Sequence, residues 1–164
     1  MRHRDRPATE AKVDGKRTER HGRCQCGAIR FTATGEPLFV ALCHCESCRR
    51  STGGALVASC GFRRDDIAFA KMNPSYYASS PGVRRGFCPR CGTSLTFEST
   101  CWPDDVHLMV GNFDNPGDFA PQCHVFAGER LPWLRFADAL PQYRTVPSAG
   151  DLMAAPDHPS ISAG

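Results

Sequence analysis

The chain has 164 residues with 41% hydrophobic content, 15 glycines and 13 prolines, which suits one turn-rich domain rather than several. Its formal charge is +3, but residues 1–21 hold seven Lys/Arg against four acids and residues 22–164 hold 13 of each sign, so a formally neutral body argues against nucleic acid as the main partner. No run approaches the roughly 18 to 20 apolar residues that span a bilayer, and the N-terminus lacks the apolar segment of a secretory leader, so no membrane partner and a cytoplasmic location are expected.

Residues 1–21 contain no Phe, Tyr or Trp and are read as a disordered basic tail, because nothing in them offsets the entropy of ordering. Residues 22–146 form the domain, and the small, Pro-rich stretch 147–164 is read as a second disordered tail. The domain opens on Cys24 and Cys26 in CQCG. An alternating run from Ala28 to Thr34 (AIRFTAT) then predicts a half-buried strand. Next comes CHCESC, with Cys43, Cys45 and Cys48, followed by Arg49 and Arg50 and the polar turn Ser51–Gly54. Strands are predicted over Ala55–Phe62, Ser94–Glu98 and Val106–Gly111, and between the first two of these lie Arg84, Arg85 and CPRCG with Cys88 and Cys91. Only Leu131–Leu140 offers a short helix, with Pro132 suited to its first turn. The fold class is mainly β, in small antiparallel sheets with little helix and cysteine knuckles carried on turns.

Seven of the ten cysteines therefore fall in three clusters with metal-ligand spacing. In a reducing cytoplasm they stay available to metal, whereas a secreted chain with the same cysteines would form disulfides. Two pairs, each closed by a glycine that can adopt positive φ, make a natural closed set of four: Cys24, Cys26, Cys88 and Cys91. The remaining three, Cys43, Cys45 and Cys48, have no evident fourth partner. His44 stands between two of them and is expected to point away; Cys60, Cys101, Cys123, His107 and His124 are other conceivable fourths, although the three cysteines are more simply small apolar core residues. Three thiolates on a dication leave a charge of minus one, which disfavours an acidic bound water and favours capture of another soft sulfur, so the expected substrate is a thiol.

The ordered set GRCQCGAIRF, CHCESCRRSTGG, GFCPRCGTSL, GNFD at Gly111–Asp114, then His124, Trp133 and LPQY at Leu140–Tyr143 resembles the glutathione-dependent formaldehyde-activating (GFA) and centromere protein V family over about residues 22–143. The resemblance implies a zinc-ribbon-like, mainly β fold with two zinc ions. It implies a structural zinc on Cys24, Cys26, Cys88 and Cys91, and a second, catalytic zinc on Cys43, Cys45 and Cys48. It also implies a carbon–sulfur lyase/synthase that joins a small thiol such as glutathione to a small aldehyde such as formaldehyde. Arg49 is a candidate carboxylate clamp and His124 a candidate substrate-binding residue. A reading from another class is a noncatalytic zinc-stapled binding module.

Overall fold

A computed structural model describes residues 17–147 and Met153. In chain order the strands are β1 (Glu19–Arg23), β2 (Arg30–Thr34), β3 (Phe39–Cys43), β4 (Val57–Arg63), β5 (Ile67–Ala70), β6 (Ser75–Ser80), β7 (Val83–Phe87), β8 (Ser94–Ser99), β9 (Trp102–Met109) and β10 (Cys123–Val125). One α-helix, α1 (Glu46–Thr52), separates β3 from β4. The fold is mainly β, as the short alternating runs predicted. A three-stranded antiparallel sheet has the order β1-β2-β5, and a seven-stranded sheet the order β10-β3-β4-β9-β8-β7-β6, whose one parallel pair is β10 with β3.

The period of two along each strand divides the large sheet into two unlike faces. Val40, Cys60, Phe62, Val106 and Leu108 point to one side. There they pack with Ile29, Phe31 and Ala33 of the small sheet and with Phe113 and Phe119 into the main core. The opposite face carries Phe39, Ala41 and Cys43 of β3, Val57 and Ser59 of β4, and His107 and Met109 of β9, all of which line a cleft. The side chains of each strand are thus divided between stability and a concave surface.

Two sequence expectations are corrected. β1 begins at Glu19 and pairs Glu19 to Arg23 with Thr34 to Arg30, so the boundary of the basic tail at residue 21 falls inside a strand. Residues 1–16 and, apart from Met153, residues 148–164 lie outside the described residues, so the two stretches read from sequence as tails fall largely there. Leu131–Leu140 is not a helix. A single turn closes from Leu134 N–H to Leu131 O at 3.0 Å, after which the chain runs on without regular structure and places Phe136 against two histidine rings. Helix propensity here loses to a tertiary contact.

Candidate metal centres and cleft

Cys24 and Cys26 lie in the turn between β1 and β2, and Cys88 and Cys91 in the turn between β7 and β8. The four sulfurs lie within 4.8 Å of one another, with Cys24 Sγ 3.6 Å from Cys26 Sγ and Cys26 Sγ 3.9 Å from Cys88 Sγ. Ligands at about 2.3 Å from a tetrahedral zinc stand about 3.8 Å apart, so the set fits such an ion. Both turns are built alike. Gly27 and Gly92 sit at φ 71° and 76° and donate N–H to Cys24 O and Cys88 O at 3.0 and 2.8 Å. The Ile29 N–H donates to Cys24 Sγ at 3.3 Å. The Thr93 hydroxyl beside Cys91 holds that thiol down at about 5. Backbone and side-chain donors aimed at sulfur favour thiolates, which is what a cation requires.

The second cluster stands where β3 runs into α1. Cys43 ends the strand, Cys45 is the N-cap whose Sγ accepts the Cys48 N–H at 3.3 Å, and Cys48 lies in the first turn. Gly53 at φ 73° closes the helix, with its N–H donating to Arg49 O. The three sulfurs again lie within 4.8 Å of one another, and Cys43 to Cys45 is 3.5 Å. They share protons unevenly: hydrogen bonds from Cys43 and Cys45, helped by the nearby Arg85, draw Cys48 down to about 3, while hydrogen bonds to Cys45 and Cys48, with burial, push Cys43 far up. Without a cation the three cannot all ionise; with one they can.

These sulfurs line a cleft of about 1120 Å³ on the free face of the large sheet. Arg85 reaches them from β7. It is 2% exposed, donates to Ser47 Oγ at 2.9 Å and Ser51 Oγ at 3.1 Å, stands 3.8 Å from Cys48 Sγ, and lies over the ring of Phe97 at 5.0 Å. Its neighbour Arg84 points the other way and pairs with the buried Glu98 at 2.6 Å. Further along the cleft His107 is ringed by Phe39, Phe97 and Trp102, with ring centroids at 4.7, 5.2 and 5.7 Å.

Unlike the cysteines, the two candidate substrate-binding residues, Arg49 and His124, do not meet at the cleft. Arg49 does not line the cleft: its guanidinium donates to His44 O and to Glu129 O, the latter at 2.8 Å, and so ties the ligand loop to the turn after β10. His124 is fully buried. Its Nδ1 stands 2.9 Å from His44 Nε2 and its Nε2 3.1 Å from Asp138 Oδ1, which assigns a chain in which His44 donates to His124 and His124 to the carboxylate. His44 thus points away from the sulfurs, as its place between two ligands predicts. Both histidines support the loop from behind. Cys60 and Cys123 are buried as expected, but Cys101 is exposed at the β8–β9 turn.

Burial of the His107 ring draws its imidazole down to about 4, with Asp105 opposing. The folded state therefore keeps this ring neutral where the unfolded chain, near 6.5, takes up a proton. Stability from this group is complete above about pH 6.5 and is lost as pH falls towards 4. His107→Phe is expected to flatten the slope of unfolding free energy across that window by on the order of 2 kcal/mol in urea melts. An unchanged slope refutes the assignment.

Residues 19–129 match the family model described as glutathione-dependent formaldehyde-activating enzyme. A Halomonas elongata protein named for that same activity is 28% identical over 123 residues, covering 69% of this chain and 78% of the relative. A protein of Schizosaccharomyces pombe named an uncharacterized lyase is 35% identical over 82 residues, covering 50% of this chain and 59% of its own length. The solved structure of a Rhodobacter sphaeroides protein superposes with a TM-score of 0.50 at 24% identity, over 60% of this chain and 93% of that one, and shares the fold.

Proposed function

The chain belongs to the glutathione-dependent formaldehyde-activating enzyme family, and on that premise we propose that it is a zinc-dependent carbon–sulfur lyase/synthase adding a glutathione-like thiol to a small aldehyde such as formaldehyde. Cys24, Cys26, Cys88 and Cys91 hold a structural zinc in this reading, and Cys43, Cys45 and Cys48 hold a second. The observation that carries it is the contrast between the clusters. Four sulfurs complete a tetrahedral set, whereas the three on the cleft have no fourth His, Cys, Asp or Glu ligand beside them among the described residues. When bound there, zinc supplies a soft Lewis acid that favours a fourth sulfur in its thiolate form at neutral pH.

The protein's own residues do the rest. Arg85 sets a fixed positive charge beside Cys48, and Ser47 and Ser51 hold its fork in place. Phe39, Met109 and Phe97 give the cleft an apolar floor beneath the two substrates. In the reaction the carbonyl π bond opens, a sulfur–carbon bond forms, and the thiol proton ends on the former carbonyl oxygen. No oxidant or reductant is needed. A reducing cytoplasm keeps all seven thiols free for metal.

Cobalt in place of zinc tests the open position. Titrated with glutathione, the wild-type protein is expected to change its thiolate-to-metal absorption at the three-cysteine site, and Cys45→Ala to abolish that change. With cobalt in both sites, silence towards every small thiol leaves the noncatalytic zinc-stapled binding module as the better account.

A further inference from the structure

Strand register lays a single lateral row across the cleft face. Phe39 pairs with Gly61, Gly61 with His107, His107 with Phe97, Phe97 with Arg85, and Arg85 with Tyr77. Gly61 is the gap that makes the row continuous: a Cβ there would stand 2.3 Å from Phe39 Cε1, so only glycine lets that ring fold across β4 to meet His107 edge-on. Trp102 stands over the row at the rim, 40% exposed, and Tyr77 at the far end is 45% exposed, so aromatic surface faces the cleft rather than the core. The strip joins the cysteine site directly, because Arg85 touches both Cys48 and the Phe97 ring.

Formaldehyde has no group that needs such a surface, and the charges beside it are already engaged. Arg50 pairs with Glu46 at 2.7 Å, Asp105 with Arg63 at 3.0 Å, and Arg85 with Ser47 and Ser51. His107 forms no side-chain hydrogen bond among the described residues and is held neutral by burial. What remains is a cleft whose floor is apolar and aromatic, suited to stacking a flat ring and not to clamping a carboxylate.

Resting on the thiol–aldehyde reading, we propose that the carbonyl substrate carries an aryl substituent, whose ring lies on the strip of Phe39, His107, Phe97 and Tyr77 beneath Trp102. The bond changes are those of the parent reaction: the aryl aldehyde carbon gains sulfur, its oxygen gains the thiol proton, and the product is a hemithioacetal, the S-(α-hydroxybenzyl) derivative of the thiol.

The two tryptophans make the test direct, since Trp133 is 67% exposed and does not line the cleft. In Trp133→Phe protein the remaining emission reports Trp102. Benzyl alcohol, which has the ring but neither thiol nor aldehyde, is expected to quench it saturably where ethanol does not. The midpoint should rise about tenfold in Phe97→Ala and also rise in Tyr77→Ala, whose edge-strand position leaves the fold intact. Absent or unsaturable quenching, or a midpoint that neither substitution raises, overturns the aryl site whatever the turnover. Quenching that emerges only in a chain truncated after Pro147 means the protein's own C-terminal segment fills the strip, and overturns it too. With glutathione as thiol, kcat/KM for benzaldehyde should exceed that for formaldehyde at least tenfold. Formaldehyde turnover without that preference overturns this inference alone. Saturable quenching with no turnover of either aldehyde keeps the aryl site and overturns the thiol–aldehyde reading.

Discussion

Cys88→Ser is expected to lower the melting temperature by more than about 15 °C and to release one zinc per chain, while Cys48→Ser shifts melting by only a few degrees. A structural zinc contributes its binding free energy to folding, on the order of 10 kcal/mol in small zinc peptides, and losing one of four ligands forfeits much of that. Position makes the loss severe. Cys88 and Cys24 are fully buried, and their cluster joins the β1–β2 turn of the small sheet to the β7–β8 turn of the large one, Cys26 and Cys88 standing 62 positions apart in sequence. The two sheets share one core, so releasing this staple exposes the packing between Phe31 and Phe113 as well. Cys48, by contrast, sits on a seven-residue helix at the open cleft, where serine keeps the size of the side chain and most of its polarity. Thermal melts with zinc analysis on both variants decide the matter, and equal collapse would sink the division into a structural and an open site.

The metal-ligand spacings were legible in sequence because a knuckle is local: two cysteines two residues apart and a glycine after them specify a turn without help from the rest of the chain. The short apolar runs of β2, β4 and β8 were legible for the same reason, whereas the run Val106–Gly111 overshoots β9, which ends at Met109 and gives way to a 3-10 turn over Val110–Asn112. The hairpin of β6 and β7 was not, since SYYASS and VRRGF are polar and lie towards the sheet edge, where burial imposes little pattern. Nor was α1, a seven-residue helix without a buried residue, started by the Cys45 cap and closed by Gly53. Arg84 and Arg85 look alike in sequence. Only register separates them, turning one to Glu98 on the core side and the other into the cleft. Arg49 misled for the opposite reason: its adjacency to Cys48 suggests a substrate clamp, yet its reach takes it back to two carbonyls. His44 and His124 meet across 80 residues, a contact that no local pattern announces.

Arg85→Met is expected to raise the glutathione midpoint at the cobalt-loaded three-cysteine site roughly a hundredfold while changing the melting temperature by no more than a few degrees. A guanidinium only 2% exposed, with Nε unpartnered among the described residues, is costly to bury and persists where it answers an opposite charge. Three thiolates on a dication carry minus one; with Arg85 the centre is neutral, and a fourth thiolate then adds its charge to a neutral site instead of an anionic one. At an effective dielectric of about 20 and a few ångströms, that single charge is worth on the order of 3 kcal/mol to the incoming sulfur. Stability responds less, because methionine fills similar space and removes the desolvation penalty together with the attraction. Arg85→Lys restores charge without the fork that grips Ser47 and Ser51, so it should recover part of the affinity. A purely structural arginine would move the melt and leave the midpoint in place. A midpoint equal to wild type in Arg85→Met would show that the buried charge does not serve the sulfur, and no recovery in Arg85→Lys at an unchanged melt would show that the fork, not the charge, sets the affinity.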